Sequence, residues 1–132
     1  MSRENVEIVR RIYEGINARR EFPPEWFAPD CVTDWTDVAP EGELLRGVEA
    51  TNTALAPYFA TFEDFHVVAE EIVHADRERV IVAIRDGGRL RGSDTEISSR
   101  YFDVWTFHDG KVVRLSAHTD RTRAFNAVGL EE

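Results

Sequence analysis

With one cysteine, Cys31, in 132 residues, the chain can close no internal disulfide. That usage points to a reducing compartment. Positive charge is also scarce. Sixteen Lys and Arg against 25 Asp and Glu leave a formal net charge of −9, which excludes a nucleic-acid backbone or an anionic membrane surface as partner. The basic doublets Arg10-Arg11 and Arg19-Arg20 then read as solvated helix faces. No run approaches membrane-spanning length. The opening MSRENVEIVRR has no apolar core behind a basic start, so it is not a signal peptide, and a cytoplasmic protein is expected. The four histidines, His66, His74, His108 and His118, show no metal-ligand spacing, and no glycine-rich phosphate loop, serine elbow or Cys-His arrangement is visible. Neither metal nor cofactor is expected. Repeats, low-complexity tracts and Gly/Ser linkers are missing too, so residues 1–132 read as one domain, long enough to bury roughly two-thirds of its unfolded surface.

What is present is a packed globule, 42% hydrophobic and 11% aromatic, outside the range of disordered chains. Val6, Val9, Tyr13 and Ile16 recur at helical spacing, with Ile8 and Ile12 widening the stripe, and Ser2 is placed to cap this helix. Pro23-Pro24 stops it and starts a short turn of helix through Trp26 and Phe27. Cys31 to Trp35 reads as a short strand, followed by a loop from Asp37 to Gly47 that contains Pro40. Val48 to Thr61 is a second helix, which Pro57 should kink or shorten. From Phe65 onward the period changes to two, giving strands at 65–73, 79–85, 96–107 and 112–119. Asp86-Gly87-Gly88 reads as a turn. Asp109-Gly110 between two β-prone runs is a hairpin signal. Asp120 or Thr119 can cap a terminal helix, 121–127, with Gly129 just past its end. Helices first and a meander afterwards make an α+β fold, with helices on one face of a curved antiparallel sheet.

The strand Tyr101-Phe102-Asp103-Val104-Trp105-Thr106-Phe107 is apolar on both faces, yet holds a carboxylate at its centre. An unpaired carboxylate in an apolar wall is costly. Asp103 is therefore a pocket acid, or a structural group paired with an Arg or with the Tyr13 hydroxyl. Arg100 falls on the other face, so no direct pair between it and Asp103 is expected. With Trp105 and Phe107 inward, Phe102 and Val104 lie on the outer face, which predicts a homodimer through that face.

Several segments together resemble the SnoaL-like branch of the nuclear transport factor 2-like superfamily. They are VEIVRRIYEGINA, WFAPDCV, LLRGVEA, VWTFHDGKVVRL and TDRTRAFNAVGL, in this order over nearly the whole chain. The resemblance implies a cone, the cystatin-like roll: a bent sheet wrapped around helices, with an apolar pocket at its wide end. It implies several chemistries, among them steroid isomerases, epoxide hydrolases, polyketide cyclases and non-catalytic binding modules. Laid on the isomerase pattern, the strand Asp falls on Asp103, the helix Tyr on Ile12 beside Tyr13, and the base Asp on or near Trp35. The epoxide hydrolase pattern lacks its Arg partner, and its final carboxylate position is Ala117. The cyclase pattern asks only for an apolar cavity and a carboxylate or histidine that moves a proton.

The expected ligand is thus a small apolar or polyketide-like molecule. Ile12, Tyr13, Ile16, Trp35, Leu55, Tyr58, Phe59, Tyr101 and Trp105 are expected around it. Asp103 is the first candidate proton carrier. His118, out of phase with Ala117, reads as a rim or solvent histidine first and a proton carrier second. A cavity filled by the protein's own side chains is the alternative, in which the domain only binds or dimerises.

Overall fold

The structure, a computed structural model, describes residues 2–39 and 41–132, so the loop proline Pro40 lies outside the described residues. Helix α1 (Ser2–Arg19) buries Val9, Ile12, Tyr13 and Ile16, the stripe its spacing dictates, and Ser2 is its first residue rather than its cap. Pro24–Trp26 form a short 3-10 turn. Strand β1 (Phe27–Asp34) begins four residues before Cys31 and pairs with a strand the sequence did not suggest, β2 (Leu44–Arg46). Helix α2 (Val48–Ala60) holds Pro57 in its last turn, where the Pro57 carbonyl accepts a hydrogen bond from the Thr61 hydroxyl. Strands β3 (His66–Ala75), β4 (Arg79–Arg89), β5 (Glu96–His108) and β6 (Lys111–His118) follow, and α3 (Arg121–Ala127) closes the chain.

The fold is α+β, with six strands ordered β2-β1-β6-β5-β4-β3 in one curved sheet. Every pairing is antiparallel except one: β1 runs parallel to β6. The wholly antiparallel sheet expected from sequence is thus a mixed one. Two register shifts in β3 mark bulges, which bend a strand and increase its twist.

Side chains alternate across the sheet. On the concave side, Val80, Val82 and Ile84 of β4, Trp105 and Phe107 of β5, and Val112 and Leu115 of β6 meet the apolar stripe of α1. On the convex side, Ile81 and Val104 are covered by Ala124 and Phe125 of α3. Asp120 caps α3 by accepting from the Arg123 backbone N–H. This corrects one premise of the expected dimer: Val104, read as bare without a partner, is 1% exposed because α3 lies over that part of the face. No helix among the described residues is long and apolar enough to cross a membrane.

Candidate functional site

A cavity of about 280 Å³ opens between the helices and the concave side of the sheet. That is far more space than one buried water needs, so the cavity is not filled by the protein's own side chains. Of the residues expected around it, Tyr13, Ile16, Trp35, Leu55, Tyr58, Phe59, Tyr101 and Asp103 line it. Ile12 and Trp105 do not. Both have no exposed surface and sit in the core behind the wall. Successive residues of a helix point about 100° apart, so Tyr13 and Ile16 can face the cavity while Ile12 faces packed core. Phe22, Phe65 and Ile84 add to the wall, and Val38 and Ala39 come from the loop after β1.

Asp103 sits in this wall, 6% exposed. The Tyr13 hydroxyl donates to its Oδ2 at 2.7 Å, and Trp105 Nε1 donates in turn to the Tyr13 oxygen at 2.9 Å. The Tyr13 and Trp105 rings meet edge to face, 5.7 Å between centroids. Tyr13, not the residue at position 12, is therefore the helix phenol that reaches the strand carboxylate. Burial pushes the Asp103 carboxyl up to about 7; the Tyr13 hydrogen bond opposes that push and nearby Asp86 adds to it. Burial, with the Asp103 charge, also drives the Tyr13 phenol well above its ordinary value. Arg100 takes no part, since it reaches Glu70 at 3.4 Å, a carboxylate that Arg85 also approaches.

Tyr13→Phe is expected to raise the Asp103 pKa further, because the donor that favours its charged form is gone. The same change strands the Trp105 N–H, which should cost about 1–3 kcal/mol. Carbon NMR titration of the Asp103 carboxyl and a denaturant melt measure the two effects separately.

A second carboxyl lines the cavity where the sequence suggested only a turn. Asp86 lies within β4, its Oδ1 accepting from the Tyr58 hydroxyl at 3.0 Å. Burial pushes it up to about 6, against the pull of Tyr58 and His66. The Asp86-Gly87-Gly88 run is strand because its glycines permit close approach rather than reversal. A Cβ on Gly87 would lie 1.9 Å from the Ile97 carbonyl oxygen, and one on Gly88 2.8 Å from Asp64 Oδ1. Counting in twos from Val82, the neighbour of Asp103 in the register, would have placed Asp86 on the inward face.

His118 is not at the rim. It is 7% exposed, on the sheet face opposite Ala117, with Nδ1 2.9 Å from Asp37 Oδ2 and Nε2 2.9 Å from Ser116 Oγ. Arg123 holds the other Asp37 oxygen at 2.8 Å. Ser116, His118 and Asp37 thus follow the bonding order of a nucleophilic triad, but Ser116 is itself buried and its hydroxyl has no open approach. The network instead ties down the loop whose Val38 and Ala39 edge the cavity. Asp34 accepts from Thr36 and Arg114 and does not reach the cavity.

The SnoaL-like domain family matches residues 9–115. The chain belongs to the SnoaL-like family. Solved structures of the same fold include a protein from Jannaschia sp. CCS1 assigned to the SnoaL-like polyketide cyclases, with 22% identity, 99% of this chain and 95% of that one covered, and a TM-score of 0.73. Bal32a, from a soil-derived mobile gene cassette, has 20% identity, 96% coverage of both chains and a TM-score of 0.75. TerC, crystallised with polyporic acid, has 22% identity, 94% and 96% coverage and a TM-score of 0.71. No curated protein sequence matches significantly. Within this SnoaL-like cone, Asp103 faces Ala117 across the β5–β6 pairing, so the final carboxylate of the epoxide hydrolase pattern has no counterpart there.

Proposed function

We propose that this SnoaL-like chain binds a small, mostly apolar carbonyl compound in its cavity and moves a proton at the neighbouring carbon, without a cofactor. The observation that carries this is the state of Asp103. One oxygen is held by Tyr13, the other accepts no hydrogen bond from any described residue, and the group lies in the cavity wall. A carboxyl near 7 is ionised often enough to take a proton and neutral often enough to return one.

In the forward step the substrate C–H proton passes to the free Asp103 oxygen, and the C–H electron pair moves to the carbonyl oxygen as an enolate. Tyr101, two residues along on the same face, lines the cavity with a hydroxyl that has no partner among the described residues. It can donate to the enolate oxygen, where charge develops. Return of the proton from Asp103 to another carbon gives isomerisation; attack by the enolate carbon on a second carbonyl gives ring closure. Deuterium exchange into β-tetralone, followed by proton NMR with native protein and with Asp103→Asn, tests the first half of either reaction.

The reading includes a homodimer, through the part of the convex face that α3 leaves open. Val68 is 40% exposed there, beside the Glu70, Arg85 and Arg100 side chains, which can pair across a twofold axis. Sedimentation velocity is expected to give twice the chain mass, and Val68→Glu to return the monomer. A native monomer at micromolar concentration would remove this part of the proposal.

A further inference from the structure

We propose that the ligand carries a protonated amine, seated between Asp86 and the aromatic wall beside it. The inference rests on the reading of the cavity as a small-molecule site and adds the chemical class of what enters.

The donors and acceptors of the wall carry the argument. The Tyr13 hydroxyl is spent on Asp103, the Tyr58 hydroxyl on Asp86, and the Trp35 N–H on Thr33. Tyr101 alone among the lining side chains keeps an uncommitted donor. The open acceptors are stronger: one oxygen of Asp103 and one of Asp86, neither taking a hydrogen bond from a described residue. Among the described residues, no Lys, Arg or His lines the cavity. A wall rich in acceptors and poor in donors is complementary to a ligand that brings its own N–H or O–H groups. An anionic ligand meets two carboxyls and no cation, so it is excluded.

Charge decides between a neutral and a cationic donor. Asp86 has no ion pair among the described residues. The basic groups nearest in sequence turn elsewhere: Arg85 approaches Glu70 and Arg89 holds Glu63. His66 pulls on the Asp86 charge but forms no ion pair with it among the described residues. Around the Tyr58 that bonds Asp86, three rings of the wall cluster: Tyr58 to Phe59 at 5.9 Å, Tyr58 to Phe65 at 5.8 Å and Phe59 to Phe65 at 4.7 Å between centroids. Aromatic rings beside a partly buried carboxylate form the setting in which an ammonium group is bound. Both carboxyls line the same cavity, near enough for the Asp86 charge to raise Asp103, so one ligand can place its amine at Asp86 and its reacting carbon at Asp103.

Three probes of one shape test this: naphthylmethylamine, naphthylmethanol and naphthoate, titrated calorimetrically into native protein at about pH 7.5. The amine is expected to bind at least roughly tenfold tighter than the alcohol, as a desolvated cation beside a carboxylate and rings should, and naphthoate more weakly than both. Asp86→Asn should erase the amine's lead over the alcohol. An alcohol that equals the amine, a naphthoate that equals either, or a lead that survives Asp86→Asn overturns the proposal while leaving the cavity reading in place. Binding of none of the three overturns both. Should Asp86→Asn fail to fold, the order of the three probes on native protein decides alone.

Discussion

Asp103→Asn is expected to abolish exchange of β-tetralone protons while the protein stays folded. Loss of a positioned proton carrier costs typically 10²–10⁴-fold, so the variant should approach the rate in buffer alone. The native rate should also report the group. Asp103 acts as base only when ionised, so exchange should be slow at acidic pH, rise through the region of about 7 set by its burial, and level off above it. A native protein without exchange, or a variant that keeps it, would remove Asp103 as proton carrier. The same profile with its midpoint near the ordinary carboxylate value of about 3.9 would assign the step to a solvated acid instead.

The same substitution is expected to stabilise the fold at alkaline pH. A carboxyl whose folded pKa is raised binds more protons in the native than in the unfolded state between about pH 4 and 7, so stability falls as pH rises through that window. Below it both states hold the proton and the group costs nothing. Above it the native state carries a buried charge. A rise from 3.8 to about 7 corresponds to a penalty on the order of 4 kcal/mol at pH 8. Asn keeps an oxygen for the Tyr13 hydroxyl and carries no charge. Urea unfolding should therefore show Asp103→Asn more stable than native protein at about pH 8, and nearly equal to it at about pH 4. A variant less stable at both would mark the carboxylate as part of the fold's scaffold. Gain of stability with loss of turnover is what a group retained for chemistry predicts.

The chain order of helices and strands was legible because each element declares itself locally: the 3.6 period of α1, the period of two after Phe65, the Asp-Gly hairpin, the cap before α3. The inward aim of Asp103 followed from the same alternation, and its bond to Tyr13 was one of the alternatives left open. What was not legible depends on partners distant in sequence. Three residues, Leu44 to Arg46, form a strand only because β1 offers them an edge. Nothing local marks β1 as parallel to β6. Asp86 was hidden because two glycines can signal a turn or a close approach, and only the neighbouring Ile97 and Asp64 backbones distinguish the two. His118 moved from rim to interior because the Asp37 loop and α3 close over it, a meeting of segments more than 80 residues apart.

The parallel pairing of β1 with β6 also sets when the cavity can exist. Residues 27–34 wait for residues 112–116 before they have a neighbour on that side, so the first strand made is completed by the last. During synthesis α1, α2 and the β3–β4 hairpin can be in place while the wall holding Ala117 has not yet left the ribosome. Closing so long a loop before any contact rewards it makes folding slow relative to helical proteins of this size. The cavity is therefore a late product of folding. A chain interrupted before β6 would expose the apolar surface meant for the cavity and leave β1 with an open edge able to pair with another chain.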